Sequence, residues 1–82
     1  MPARTIADPF AQRIGARVRD LRLGQGKSLA DMEIASGVTK GHLSNIERGQ
    51  VLVNIITLRN IPHGLGMHLA ELFAGVEDGQ PL

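Results

Sequence analysis

Residues 28–49, SLADMEIASGVTKGHLSNIERG, constrain this chain more than any other stretch. Ser28 is a strong helix-capping type and Asp31 follows three residues later, so a helix start is predicted there. Leu29, Met32 and either Ala35 or Ser36 form the inner face of that helix. Gly37 supplies a turn conformation that other residues resist. Val38 is apolar and anchors the turn, and Thr39 caps a further helix with Leu43 and Ile46 directed inward. Gly49 stops it. Two short helices joined by so tight a turn sit at a steep angle, and neither can bury its apolar face alone.

The flanking segments supply the cover. Asp8 and Pro9 are a good cap and first helical residue, and Phe10, Ile14, Val18 and Leu21 then recur at helical spacing. Arg13, Arg17 and Arg19 fall off that stripe, facing water or a ligand, and Gly24 and Gly26 end the helix near Leu23. Asn54 caps a fourth helix with Ile55, Leu58, Ile61 and Leu65 on one face. Pro62 interrupts this segment, so a kink or an early end is predicted. A short fifth helix covers residues 67–74, and the tail from Gly75 is expected to fray. Strand alternation, repeats and low-complexity tracts are missing from the sequence. The predicted fold is all-α, a compact bundle of five short helices in one domain over residues 1–82, with its core at about 8–74.

Composition narrows the function classes. The chain has 82 residues and no cysteine, which excludes disulfides and cysteine-ligated zinc. His42, His63 and His68 have no metal-ligand spacing, so neither metal nor cofactor is expected. No apolar run reaches the ~18 residues of a membrane span, and MPARTIAD lacks a signal-peptide core, so a soluble cytoplasmic protein is expected. Net charge is only +1, but residues 1–50 carry eight Lys/Arg against five acids, and residues 51–82 one against three. A basic front and an acidic back suit a protein with one polyanion-facing side. A catalytic triad, a paired-carboxylate motif and a phosphate loop are all missing, and an enzyme is not expected.

The order and spacing of IGARVRDLR (14–22), Gly26 with Ser28, SGVT (36–39), LSNIERG (43–49) and LGMHLAELF (65–73) resemble the lambda-repressor/Cro, or XRE, family of helix-turn-helix domains. The resemblance covers about residues 10–74. It implies that Gly37 is the turn glycine and that Met32, Val38, Leu43 and Ile46 hold the two motif helices together. It also implies an ion pair between Arg22, late in the first helix, and Glu47, at the end of the third. Arginine suits that role because its planar fork can hold a carboxylate through two bonds.

The same resemblance implies a double-stranded DNA partner, with the third helix in the major groove. Lys40, Gly41, His42, Ser44 and Asn45 then form the base-reading face. Lys40 can donate to guanine, Asn45 can pair with adenine, and Gly41 allows close approach. Phosphate contacts fall to Thr39, Arg48, Arg17 and Lys27. The surplus of late apolar residues predicts a homodimer through the last two helices, using Ile56, Leu69, Leu72 and Phe73.

Three departures from the family pattern stand out. Glu33 replaces an alanine where two helix backbones usually approach. Either its stem turns outward and its carboxylate finds a cation, or the helices stand further apart. Leu29 replaces a phosphate-binding glutamine, and Pro62 and Val53 depart in and before the fourth helix. Together with the low net charge, these leave open a second class: a protein-interaction adaptor or antitoxin-like regulator with weak or no independent DNA binding.

Overall fold

The computed structural model describes residues 8–74 and 76. They form five helices in chain order: α1 (Pro9–Gly24), α2 (Leu29–Ser36), α3 (Lys40–Glu47), α4 (Ile55–Gly64) and α5 (Leu69–Phe73). There is no strand among the described residues. Each of the first four helices begins where a short polar side chain can bind a free N–H of the first turn. Asp8 Oδ1 accepts from Phe10 and Ala11, Thr39 Oγ1 from His42, and Asn54 Oδ1 from Thr57. At α2 the box is reciprocal: Ser28 Oγ accepts from Asp31 N–H at 3.0 Å, and Asp31 Oδ2 accepts from Ser28 N–H at 2.9 Å. Such caps contribute about 0.5–2 kcal/mol each, a large share for helices of two turns.

One core runs through all five helices. Ile14 and Val18 from α1, Met32 from α2, Leu43 and Ile46 from α3, Ile61 from α4 and Leu72 from α5 are buried together, with Val38 and Leu65 beside them. Helix α1 packs on α3 and α5, and α2 packs on α3 and α4. Gly37 takes φ +78°, which lets the chain turn from α2 into α3. Ser36, rather than Ala35, faces inward at the end of α2. Its hydroxyl donates to the Met32 carbonyl at 2.6 Å and accepts from Val38 N–H at 3.1 Å, so the turn is tied at both ends.

Several expectations are corrected. Helix α4 neither ends nor breaks off at Pro62 but runs on to Gly64. The missing N–H falls in the last turn, and the Pro62 carbonyl still accepts from Leu65 and Met67. Ile55 stands at the first position of α4 and is exposed, so the inward stripe there reduces to the half-buried Leu58 and the buried Ile61 and Leu65. The final helix is shorter than predicted and starts after His68, whose N–H donates to the Glu71 carboxylate at 2.8 Å. Val76, within the tail expected to fray, is buried and its N–H bonds to the Phe73 carbonyl. Residues 1–7, Gly75 and residues 77–82 lie outside the described residues.

Candidate nucleic-acid interface

Helix α3 has two unlike faces. Leu43 and Ile46 are fully buried against α1 and α2, while Lys40 and Gly41 are exposed and His42, Ser44 and Asn45 are half-buried. Thr39 and Arg48, at its two ends, are exposed. The residues expected to read bases therefore share one side of a helix whose other side is locked into the core.

The lock includes charge. Arg22 Nε donates to Glu47 Oε2 at 2.7 Å and Nη2 donates to Oε1 at 3.0 Å, a two-bond fork between α1 and the end of α3. Both side chains are about nine-tenths buried. A third donor, Nη1, reaches the Lys27 carbonyl at 2.9 Å, so the same guanidinium ties down the loop before α2. The bond to Glu47 raises the Arg22 pKa above its ordinary value against the opposing effect of burial, and the carboxylate charge adds to the rise.

The end of α3 carries a second cluster. Arg48 Nη1 donates to Ser44 Oγ and Nη2 to Asn45 Oδ1, both at 2.7 Å, and Nε reaches Gln50 Oε1 at 3.4 Å. At the other end, Lys40 N–H donates to Glu33 Oε1 at 3.4 Å. Glu33 is half-buried, and its carboxylate meets a backbone donor at the start of α3 instead of a side-chain cation. That contact suits the positive end of a helix, and it sets a negative charge beside the polar face of α3.

Two assignments change with the structure. Arg17 does not point toward the α3 surface. Its Nε and Nη2 donate to the Leu72 and Glu71 carbonyls at 3.2 and 2.8 Å, so it closes the C-terminal end of α5. Arg19, absent from the predicted contacts, instead lines a groove with Arg22, Leu29, Ser44, Glu47 and Arg48. The signal was available in the spacing, because Arg19 precedes Arg22 by three residues and shares its helix face. Lys27 is half-buried in the loop before α2, on the side that Arg22 organises.

Leu72 is the other correction. It is fully buried in the core and offers nothing to a partner. Phe73 is half-buried and stacks on Phe10, with ring centroids 6.4 Å apart. Ile56 and Leu69 are exposed, as are Leu52 and Ile55. Of these, Leu52 also lines an apolar groove with Phe10, Ile14, Val53, Leu58 and Phe73. Among the described residues no cluster of His, Asp and Glu could hold a metal, and no helix is long and apolar enough to cross a membrane.

This architecture has relatives. Residues 13–73 match the family model described as a helix-turn-helix domain. The chain is 33% identical over 61 residues to the HTH-type transcriptional regulator DdrOP3 of Deinococcus deserti, an alignment covering 74% of this chain and 47% of that protein. The chain thus spans about half the length of that regulator. Among solved structures it superimposes on the clp gene regulator ClgR of Corynebacterium glutamicum with a TM-score of 0.79 and 30% identity, covering 89% of this chain and 95% of that one. The restriction-modification controller protein C.AhdI of Aeromonas hydrophila gives a TM-score of 0.74 at 28% identity, over 77% of this chain and 96% of that one. These relatives are described as regulators or controllers, not enzymes. The family match spans both motif helices, the Arg22–Glu47 fork, α4, α5 and most of α1, and the chain belongs to the helix-turn-helix domain family, in its lambda-repressor/Cro-like (XRE) form.

Proposed function

We propose that the chain is a sequence-specific DNA-binding transcriptional regulator that sets α3 in the major groove. The observation that carries this reading is the two-faced α3: a row of polar side chains on a helix whose inner face and carboxyl end are fixed by the core and by Arg22. A rigid helix presenting donors at fixed spacing is what base reading in the major groove requires. Lys40, Ser44 and Asn45 meet base edges, Gly41 allows close approach, and His42 flanks them. Thr39, Arg48 and Lys27 meet phosphates, joined by Arg19 in place of Arg17. With about three phosphates neutralised per protomer, the slope of log K against log salt is roughly −3.

One α3 reads few base pairs, so useful specificity calls for two copies on a palindromic operator, about 34 Å apart. The exposed Ile56 and Leu69 on the last two helices supply the apolar face for a homodimer. Sedimentation equilibrium at tens of micromolar is expected to give a dimer, and Ile56→Glu a monomer. A soluble, cytoplasmic regulator fits this reading.

Selection of binding sites from random duplex DNA tests the whole reading, because half-site sequence, symmetry and spacing emerge together. The double change Lys40→Ala, Asn45→Ala is expected to abolish sequence preference. Full regulatory function with both side chains gone would leave the adaptor reading in place of this one.

A further inference from the structure

A guanidinium has five N–H donors and no acceptor, so the Asn45 atom facing Arg48 at 2.7 Å is the amide oxygen. The Asn45 NH2 group has no partner among the described residues. Ser44, whose oxygen also accepts from Arg48, keeps its hydroxyl hydrogen for donation. Lys40, at the other end of the face, is a pure donor, while Ser44 Oγ and Asn45 Oδ1, both turned to Arg48, keep one acceptor lone pair each. Recognition of adenine by asparagine needs the amide oxygen to accept from N6 while the NH2 donates to N7. In this arrangement the oxygen is turned to Arg48, and adenine N6 can use only its second lone pair, in competition with the N–H groups of a cation. Guanine offers acceptors at both N7 and O6, and so meets the free Asn45 NH2 without that competition.

We propose that Arg48 is a specificity-determining residue that acts through Asn45, holding its amide so that α3 takes guanine and not adenine at the base pair Asn45 faces. This rests on the reading of α3 as the DNA-reading helix. Arg48 thereby does more than neutralise a phosphate. Two of its N–H groups remain for the backbone while the others fix what a neighbouring side chain can read.

Binding sites selected from random DNA with the wild-type chain, Asn45→Ala, Arg48→Met and Arg48→Lys test the proposal. Asn45→Ala marks the base pair by loss of preference there. The wild type is expected to take guanine at that pair. Arg48→Met frees the amide to rotate and shifts the guanine-to-adenine ratio toward adenine by about 5- to 150-fold at that pair alone. Arg48→Lys retains a donor and retains guanine. Uniform weakening by Arg48→Met with the preference unchanged would overturn the proposal, and so would adenine preference in the wild type. A second readout needs no DNA: in the free protein, Arg48→Met moves the NMR signals of the Asn45 side-chain NH2 while the backbone signals of Leu43 and Ile46 stay. If the NH2 signals do not move, the pairing is wrong. If they move but no sequence is selected by the wild type, the pairing stands, and the DNA reading on which the base preference rests is overturned.

Discussion

Gly15 of α1 lies directly against the Ile46 carbonyl of α3, with no room for a β-carbon between them. A methyl group there would also come within 2.9 Å of the Glu47 carbonyl oxygen. Both obstacles are backbone, so neither can swing aside. Gly15→Ala is expected to force α1 and α3 apart and destabilise the fold by about 3 kcal/mol or more. Gly41, by contrast, has open space around it, and Gly41→Ala should stabilise by about 0.5–1 kcal/mol through helix propensity. If α3 enters the groove closely at that residue, the more stable Gly41→Ala protein binds DNA less tightly. Urea unfolding and a titration with duplex DNA measure the two effects separately.

The Arg22–Glu47 fork is nearly buried, so removal of one partner strands the other. Arg22→Ala is expected to cost about 3–5 kcal/mol, and more than Glu47→Gln, because it also releases the Lys27 carbonyl. The double change Arg22→Met, Glu47→Leu should recover most of that loss, since a well-packed apolar pair needs no compensation for burial. Equal effects of Arg22→Ala and Glu47→Gln in chemical denaturation would show that the third bond contributes nothing.

Glu33 holds a negative charge against the start of α3. Glu33→Gln keeps an acceptor for the Lys40 N–H and removes the repulsion of an approaching phosphate. A unit charge at about 4 Å in water is worth ~1 kcal/mol, so DNA affinity at low salt is expected to rise about fivefold. The gain should vanish at high salt, where exposed charges are screened. Loss of the favourable helix-end charge costs about 0.3–1 kcal/mol of stability. Fluorescence anisotropy across a salt series reads the affinity, and a thermal melt reads the cost.

Asp31 is held below its ordinary pKa of 3.8, mainly by the Ser28 N–H and then by the Ser28 hydroxyl. A carboxyl with a depressed folded value stabilises the fold above its unfolded value, and that contribution is lost as pH falls through the folded one. Asp31→Asn should therefore narrow its stability gap to the wild type as the pH is lowered below about 4. Thermal melts from pH 7 to pH 2.5 check this, and a gap that widens in acid would contradict it.

Features written in adjacent residues were legible in the sequence. Asp8, Ser28, Thr39 and Asn54 each cap a helix because the cap bond spans only two or three residues. Gly37 was legible for the same local reason. The Arg22–Glu47 contact spans 25 residues and followed from family resemblance, not from spacing alone. What stayed hidden depended on helix rotation. That Arg17 turns to α5, and that Leu72 faces the core and not a partner, is decided when α5 docks on α1. The fixing of the Asn45 amide was hidden too, since it depends on how Arg48 folds back from the end of α3.

The docking of α5 on α1 also bears on how the protein is made. Arg17 finds its carbonyl acceptors 54 and 55 positions further along the chain, and Leu72 fills a fully buried place in the core. A ribosome-bound copy that has not yet released residue 72 lacks that closing wall, although its third helix is already synthesised. Chains made only as far as α4 therefore carry Lys40, Ser44 and Asn45 without the full scaffold that fixes α3, and emergence of α5 completes that fixing.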